Sequence, residues 1–231
     1  METQAELNAN KGKLRKPDIK RLIEFHKLLN KFAEIERIIH IKRRDQVILE
    51  SDAEHTYNLA MMAWFLADYF PELNKNKLIE LALVHDLVEI YAGDTYVFAK
   101  QEHLDSKQAR EDAARRTLIK EWADFPTLHT SIAEYETLKT AEARFVYALD
   151  KVIPNLTVLL SDGLTWHEKQ VSLKQLDADK RRKVSVSPEI APYWDALHQL
   201  LLKQPHLFPG SAVQTLGAKN DRLKTRPAKR T

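Results

Sequence analysis

The dipeptide His85-Asp86 sits in Leu81-Ala82-Leu83-Val84-His85-Asp86-Leu87-Val88-Glu89, two ionisable groups interrupting an apolar segment. Burying an imidazole beside a carboxylate is costly unless the two are paired or bind a metal. Glu89 follows Asp86 by three residues and His85 by four, so on a helix all three can face one pocket. Asp94 comes just after Gly93, where the helix should stop. Two further ligand-type residues stand alone in apolar runs. His55 opens a segment extending to Phe70, and Asp150 ends Ala143-Arg144-Phe145-Val146-Tyr147-Ala148-Leu149-Asp150. A histidine in such surroundings can equally be a hydrogen-bonded core residue. Jointly, however, His55, His85, Asp86 and Asp150 offer two imidazoles and two carboxylates. That mixed nitrogen and oxygen set suits one divalent ion: Mn, Co, Fe, Ni, Zn or Mg. Four protein ligands leave positions on an octahedral ion for a phosphate oxygen and a water.

These residues must be positioned by helices. Leu22, Phe25, Leu28, Leu29 and Phe32 recur at spacings of three and four, the mark of an amphipathic helix. Ser51-Asp52-Ala53-Glu54 reads as a capping box opening a helix over 55–70. That helix is apolar on nearly all sides and is therefore expected to be buried. Asn74 or Asn76 should cap a helix over 77–91, ended by Gly93 in a left-handed conformation. A charged helix is expected over 105–122, with Glu111 and Arg115 spaced to pair. Another is expected over 140–160, with Pro154 inside it. A last helix should start at Ser187, with Pro188 in its first turn, and run to about Lys203. Alternating strand patterns and internal repeats are not evident, so the expected class is an all-α bundle.

Composition narrows the function. With 231 residues, 44% hydrophobic, the chain can build one substantial core. Its longest apolar run, Leu59 to Ala67, is too short to cross a bilayer, and no secretory pattern opens the sequence. Zero cysteines exclude thiolate metal sites and agree with a reducing cytoplasm. Five glycines and the lack of a GxGxxG or GxxxxGK[ST] pattern argue against Gly-rich nucleotide loops. The net charge of +3 conceals a division. Residues 210–231 carry six Lys/Arg against one Asp, and residues 1–20 carry five against three acids, while 21–209 are slightly acidic. The expected organisation is therefore a flexible segment at 1–20, a folded domain at 21–208 and a basic disordered tail at 209–231. Lacking aromatics for base stacking, the tail gives no reason to expect nucleic-acid binding. Trp64, Trp122, Trp166 and Trp194 are expected as packing residues. Lys180-Arg181-Arg182-Lys183 is expected as a solvated loop, or else as cations approaching an anionic substrate.

The series His55, His85-Asp86 and Asp150 resembles the H…HD…D metal signature of the HD-domain phosphohydrolases. Glu54-His55, Val84-His85-Asp86 through Glu89 to Gly93-Asp94, and Ala141-Glu142-Ala143-Arg144-Phe145-Val146 through Asp150-Lys151 are similar to the 5′-deoxynucleotidase subfamily (YfbR- and HDDC2-like proteins). The resemblance covers roughly 21–205. It implies an HD-domain helical bundle, a homodimer, one divalent ion, and Glu89 with Asp94 as the acid/base pair. The implied reaction is hydrolysis of (deoxy)nucleoside 5′-monophosphates to nucleoside and phosphate. Arg43 and Arg44 are candidate phosphate partners. The sequence also departs from the subfamily. Leu49 stands where proline is usual, and Ile41 falls near the place of a nucleotide-shaping tryptophan, so base selectivity should be weak. Competing readings keep the centre but change the phosphoester to a cyclic nucleotide, a nucleoside triphosphate or a guanosine alarmone. A further one makes the protein a non-catalytic, metal-stabilised interaction module.

Overall fold

The computed structural model describes residues 16–93 and 107–210. Asp18 caps α1 (Ile19–Ala33), its side chain accepting from the Arg21 amide at 2.9 Å. The helix thus begins inside the segment expected to be flexible. Leu28 and Phe32 of α1 pack with Val84, Leu87, Leu118, Trp122 and Ile132 in the smaller of two cores.

The next element corrects the expectation of no strands. β1 (Glu36–Arg43) and β2 (Gln46–Ser51) form an antiparallel hairpin with Arg43 opposite Gln46, turning through Arg44 at φ 50° and Asp45. Ile38, Ile39, Ile41, Val47 and Ile48 supply the β-branched side chains that favour strands. The register slips between Glu36 and His40, which breaks the two-residue alternation that a sequence pattern needs. The hairpin packs against later parts of the chain: the His40 amide donates to Thr165 Oγ1 at 2.9 Å.

β2 runs directly into α2 (Asp52–Ala67), and the capping box is fully formed. Ser51 Oγ accepts from the Glu54 amide at 3.3 Å, while Glu54 Oε2 accepts from the Ser51 amide at 2.9 Å. One face buries His55, Leu59, Ala63 and Leu66. The other leaves Tyr57, Met61, Trp64 and Phe65 exposed, so the expected all-round burial does not hold. Among the described residues, the packed elements cover only one side of this apolar helix.

Asn74 caps α3 (Lys75–Val84) through its side chain, which accepts from the Lys77 amide. The helix stops at Val84 rather than running to Tyr91. Beyond it, Leu87 donates to Val84 O, Glu89 to Asp86 O and Ile90 to Leu87 O, a run of tight i→i+3 turns. A short α4 (Glu89–Ala92) follows and ends at Gly93, whose φ of 74° suits glycine. Next come α5 (Lys107–Glu121) and α6 (Pro126–Thr137), the latter not anticipated from sequence. Arg115 of α5, expected to pair with Glu111, donates to Asp112 and Glu136.

At the centre lies α7 (Ala141–Leu160), capped by Thr140 and buried along Phe145, Val146, Leu149, Val152 and Ile153. Around it close α8 (Leu164–Glu168), α9 (Leu173–Val184) and α10 (Ala191–Leu202). The run 180–183 is therefore helical rather than a loop, set up by a second capping box of Ser172 and Gln175. The last helix starts at Ala191, later than expected, with Pro192 in its first turn. Leu59, Leu78, Leu81, Trp194 and Leu201 complete the main core against α7. Among the described residues the architecture is a helical bundle carrying one small hairpin, and none of its helices is long and apolar enough to cross a membrane. Most of the expected N-terminal segment and all but two residues of the expected tail lie outside the described residues.

Candidate metal centre and its cleft

Three local devices aim the four ligand-type side chains at one point. The Ser51 cap starts α2 so that His55 lies in its first turn, pointing inward and fully buried. The break after Val84 turns His85 and Asp86 out of a regular helix. Asp150 projects from the middle of α7, buried at 3% exposure. One ligand atom from each of His55, His85, Asp86 and Asp150 lies within 4.8 Å of the others. His55 Nε2 is 2.9 Å from Asp150 Oδ1, and His85 Nε2 is 2.9 Å from Asp86 Oδ2 and 3.8 Å from Asp150 Oδ1.

These separations fit an ion. With metal–ligand bonds near 2.1 Å, neighbouring ligands of an octahedron stand about 3 Å apart and opposite ones about 4.2 Å. The imidazole of His85 is oriented as a metal ligand would be. Its Nδ1 donates to the Ala82 carbonyl at 2.8 Å, which aims Nε2 at the centre; although burial opposes it, Asp86 raises the pKa of this imidazole. That buried Nε2 lies 2.9 Å from Asp86 Oδ2 but outside good hydrogen-bond geometry, an arrangement a metal bond resolves. Burial, reinforced by Arg37, lowers the His55 pKa to about 4, so it is the neutral ligand form at neutral pH. Although burial opposes it, the neighbouring His85 and Arg37 keep Asp86 ionised well below the usual carboxylate range. Against the same opposition, Lys151 and His55 do so for Asp150.

Three charged residues beside the centre were given no role from the sequence. Arg37 of β1 donates through Nη1 to Asp86 Oδ2 and Asp52 Oδ1, each at 2.9 Å, with Glu50 3.6 Å from its Nε. Its signal was a lone cation beside Ile38 and Ile39, legible only once the strand is recognised. Burial pushes the Glu50 carboxyl up to about 7, partly offset by Arg37. Lys151 pairs with the second oxygen of Asp150, and the Tyr135 hydroxyl donates to the same oxygen at 3.5 Å.

A cleft of about 500 Å³ opens on this centre, a size that suits a small ligand. His85, Asp86, Glu89 and Asp150 line it, with Arg37, Glu111, Glu136 and Lys151. Ile38, Ile39, Val158, Trp166 and Leu176 make its apolar part. Glu89 is buried, and with Asp52 and Asp86 it forms a second cluster that could hold a metal. Arg43 pairs with Glu54 and Arg44 occupies the hairpin turn; neither lines the cleft. Ile41 is also absent from its lining. Asp94 lies outside the described residues. Trp122, Trp166 and Trp194 are buried as expected, whereas Trp64 is half exposed. In chemical terms, the arrangement combines a divalent-ion site, an adjacent carboxylate and several cations around a cavity that can admit an anion.

Comparison with known proteins agrees with this geometry. Relatives named 5′-deoxynucleotidase HDDC2 include one from Xenopus laevis, 37% identical over 139 residues, covering 57% of this chain and 65% of that protein. The Homo sapiens protein of that name is 32% identical over 134 residues, covering 56% and 63%. The chain thus spans just under two thirds of these relatives' length. A crystal structure of a "predicted metal-dependent phosphohydrolase" from Magnetospirillum magnetotacticum MS-1 superposes with a TM-score of 0.70 at 28% identity, covering 81% of this chain and 94% of that one. The PH0347 protein from Pyrococcus horikoshii OT3 shares the fold, with a TM-score of 0.53 at 23% identity, covering 78% and 98%. Residues 35–191 match the HD domain family, a span that includes His55, His85-Asp86 and Asp150, and the chain belongs to that family.

Proposed function

We propose that this chain is a metal-dependent phosphomonoesterase that hydrolyses nucleoside 5′-monophosphates, deoxyribonucleotides foremost, to nucleoside and phosphate. The observation that carries the reading is the convergence of four ligand atoms from three segments, three of whose residues line a cleft that also presents Glu89 and Arg37. The relatives named 5′-deoxynucleotidase and the neighbour named a metal-dependent phosphohydrolase support it.

His55, His85, Asp86 and Asp150 would hold one divalent ion, which when bound supplies Lewis-acid polarisation of a phosphoryl oxygen and an acidified water. Arg37, beside Asp86, takes the phosphate-orienting role that the sequence pointed to in Arg43 or Arg44. The Glu89 carboxylate accepts the proton of the attacking water as the new P–O bond forms. With Asp94 as its partner, it returns a proton to the 5′-oxygen as the ester bond breaks. Ile38, Ile39, Val158 and Trp166 receive the nucleoside by apolar contact, which distinguishes the bases poorly. The 5′-monophosphates of the four deoxynucleosides should therefore differ in kcat/KM by no more than about tenfold, a spread of ~1.4 kcal/mol.

The test is phosphate release from 5′- and 3′-monophosphates of all four deoxynucleosides, with each candidate ion supplied. Activity on the 5′ series with poor 3′ isomers is expected. Equal rates on both, or none on either, would transfer the reading to a cyclic nucleotide, a triphosphate or an alarmone. The exposed apolar face of α2, Tyr57, Met61, Trp64 and Phe65, supports a homodimer through a second copy of this face. A cytoplasmic enzyme without disulfides is consistent with the absence of cysteine. Light scattering of wild type and Trp64→Glu should show a dimer and a monomer respectively; a monomeric wild type sinks the dimer.

A further inference from the structure

The cationic stretch of α9 divides between two faces. Leu176, Lys180 and Lys183 follow at intervals of four and three, and all three line the cleft. Arg181 turns the other way, to Asp177 at 2.8 Å and Asp195 of α10 at 2.6 Å. The two lysines share a single carboxylate. Lys180 Nζ is 2.9 Å from Asp179 Oδ2, and Lys183 Nζ is 2.6 Å from Asp179 Oδ1. Only 12% of the Lys180 side chain is exposed. Holding an ammonium so deep is unfavourable unless opposite charge compensates it. The other cations lining the cleft, Arg37 and Lys151, already contact Asp86 and Asp150, the carboxylates of the metal set. The α9 pair thus brings two ammonium groups, held by one shared acid, to a cleft whose lining also includes Glu111 and Glu136, the latter paired with Arg115. Burial lowers the Lys180 pKa, opposed by Asp179, with Lys183 and Lys151 adding to the lowering.

We propose that Lys180 and Lys183 form an anion subsite in the cleft wall, holding phosphoryl oxygens of the substrate that face away from the metal centre. The proposal rests on the reading of the cleft as a phosphomonoester site. It makes α9 a specificity-determining element: the lysines select a dianionic phosphate over an uncharged nucleoside, and Asp179 competes with it for both ammonium groups.

The test is calorimetric titration of inorganic phosphate, the reaction's product, into the full-length protein with manganese supplied. Lys180→Gln and Lys183→Gln should each weaken phosphate binding about tenfold, and the double variant more, with KM for a 5′-monophosphate rising more than kcat falls. Asp179→Asn should tighten phosphate binding, a direction that mere loss of helix stability does not produce. Arg181→Gln, on the opposite face, should bind like wild type. A lysine double variant that keeps wild-type affinity, or an Asp179→Asn that weakens binding, overturns the subsite. If the wild type hydrolyses no monophosphate while the lysine variants still lose phosphate binding, the subsite stands and the catalytic reading falls.

Discussion

Replacing Asp150 by asparagine keeps the volume of a side chain only 3% exposed and removes its charge. Asp150 Oδ1 lies 2.9 Å from His55 Nε2 and 3.8 Å from His85 Nε2, so it joins the imidazoles of two different segments. An ion held by all four ligands stabilises the native state by RT ln(1 + [M]/Kd). At a concentration one hundred times Kd this is about 2.7 kcal/mol. For a domain of this size each kcal/mol moves Tm by roughly 2–4 °C, so the wild type should gain about 5–11 °C on adding metal. If losing the charged ligand weakens binding about a hundredfold, the same metal concentration yields RT ln 2, ~0.4 kcal/mol, or about 1–2 °C. Comparing each protein with and without metal cancels the separate cost of leaving Lys151 without its carboxylate. Differential scanning calorimetry at a fixed manganese concentration, with elemental analysis of the purified proteins, makes the measurement. A full metal-induced shift and one bound ion per chain in Asp150→Asn would refute the ligand assignment.

Glu89→Gln should keep the ion, judged by the same calorimetric shift, and lose about 10²–10⁴ in kcat; normal turnover would remove Glu89 from the chemistry. Glu50 has a folded pKa of about 7 against an ordinary value of 4.5, so the fold favours its protonated form. Its contribution is complete below about pH 4.5 and is lost as pH rises through 7, amounting to ~3 kcal/mol. Relative to wild type, Glu50→Gln should therefore become steadily more stable between pH 4.5 and 7.5 in chelator-treated urea titrations. The opposite slope from His55, whose pKa is lowered to about 4 by burial, is common to both proteins and cancels. A flat difference across that range would mean Glu50 titrates normally. Ser51→Ala should cost about 1 kcal/mol in unfolding free energy by removing one arm of the capping box, which urea denaturation reads directly.

Much of this protein is legible from local signals in its sequence. Ser51 and Glu54 are three residues apart, and their reciprocal bonds form within a single turn, so the start of α2 and the place of His55 follow from the chain alone. Asp150 in an apolar stretch announces itself in the same way, because an uncompensated charge there is too costly to be incidental. The resemblance supplied the family, and the structure brings all four residues it pointed to into one centre. Other features depended on contacts between distant segments. Arg37 reaches Asp86 across 49 positions, through a hairpin whose slipped register hides its alternation. Helix periodicity carried α3 through His85-Asp86, but tight turns there free both side chains to face His55 and Asp150. The apolar residues of α2 looked uniformly buried, since composition cannot say that neighbouring helices cover only one side. Lys180 and Lys183 read as part of a solvated run until α9 packs beside α7 and separates them from Arg181. Spacing within a few residues determines caps, helices and ligand types because those energies are local; which charged side chains share a cleft is decided only when packing brings remote segments together.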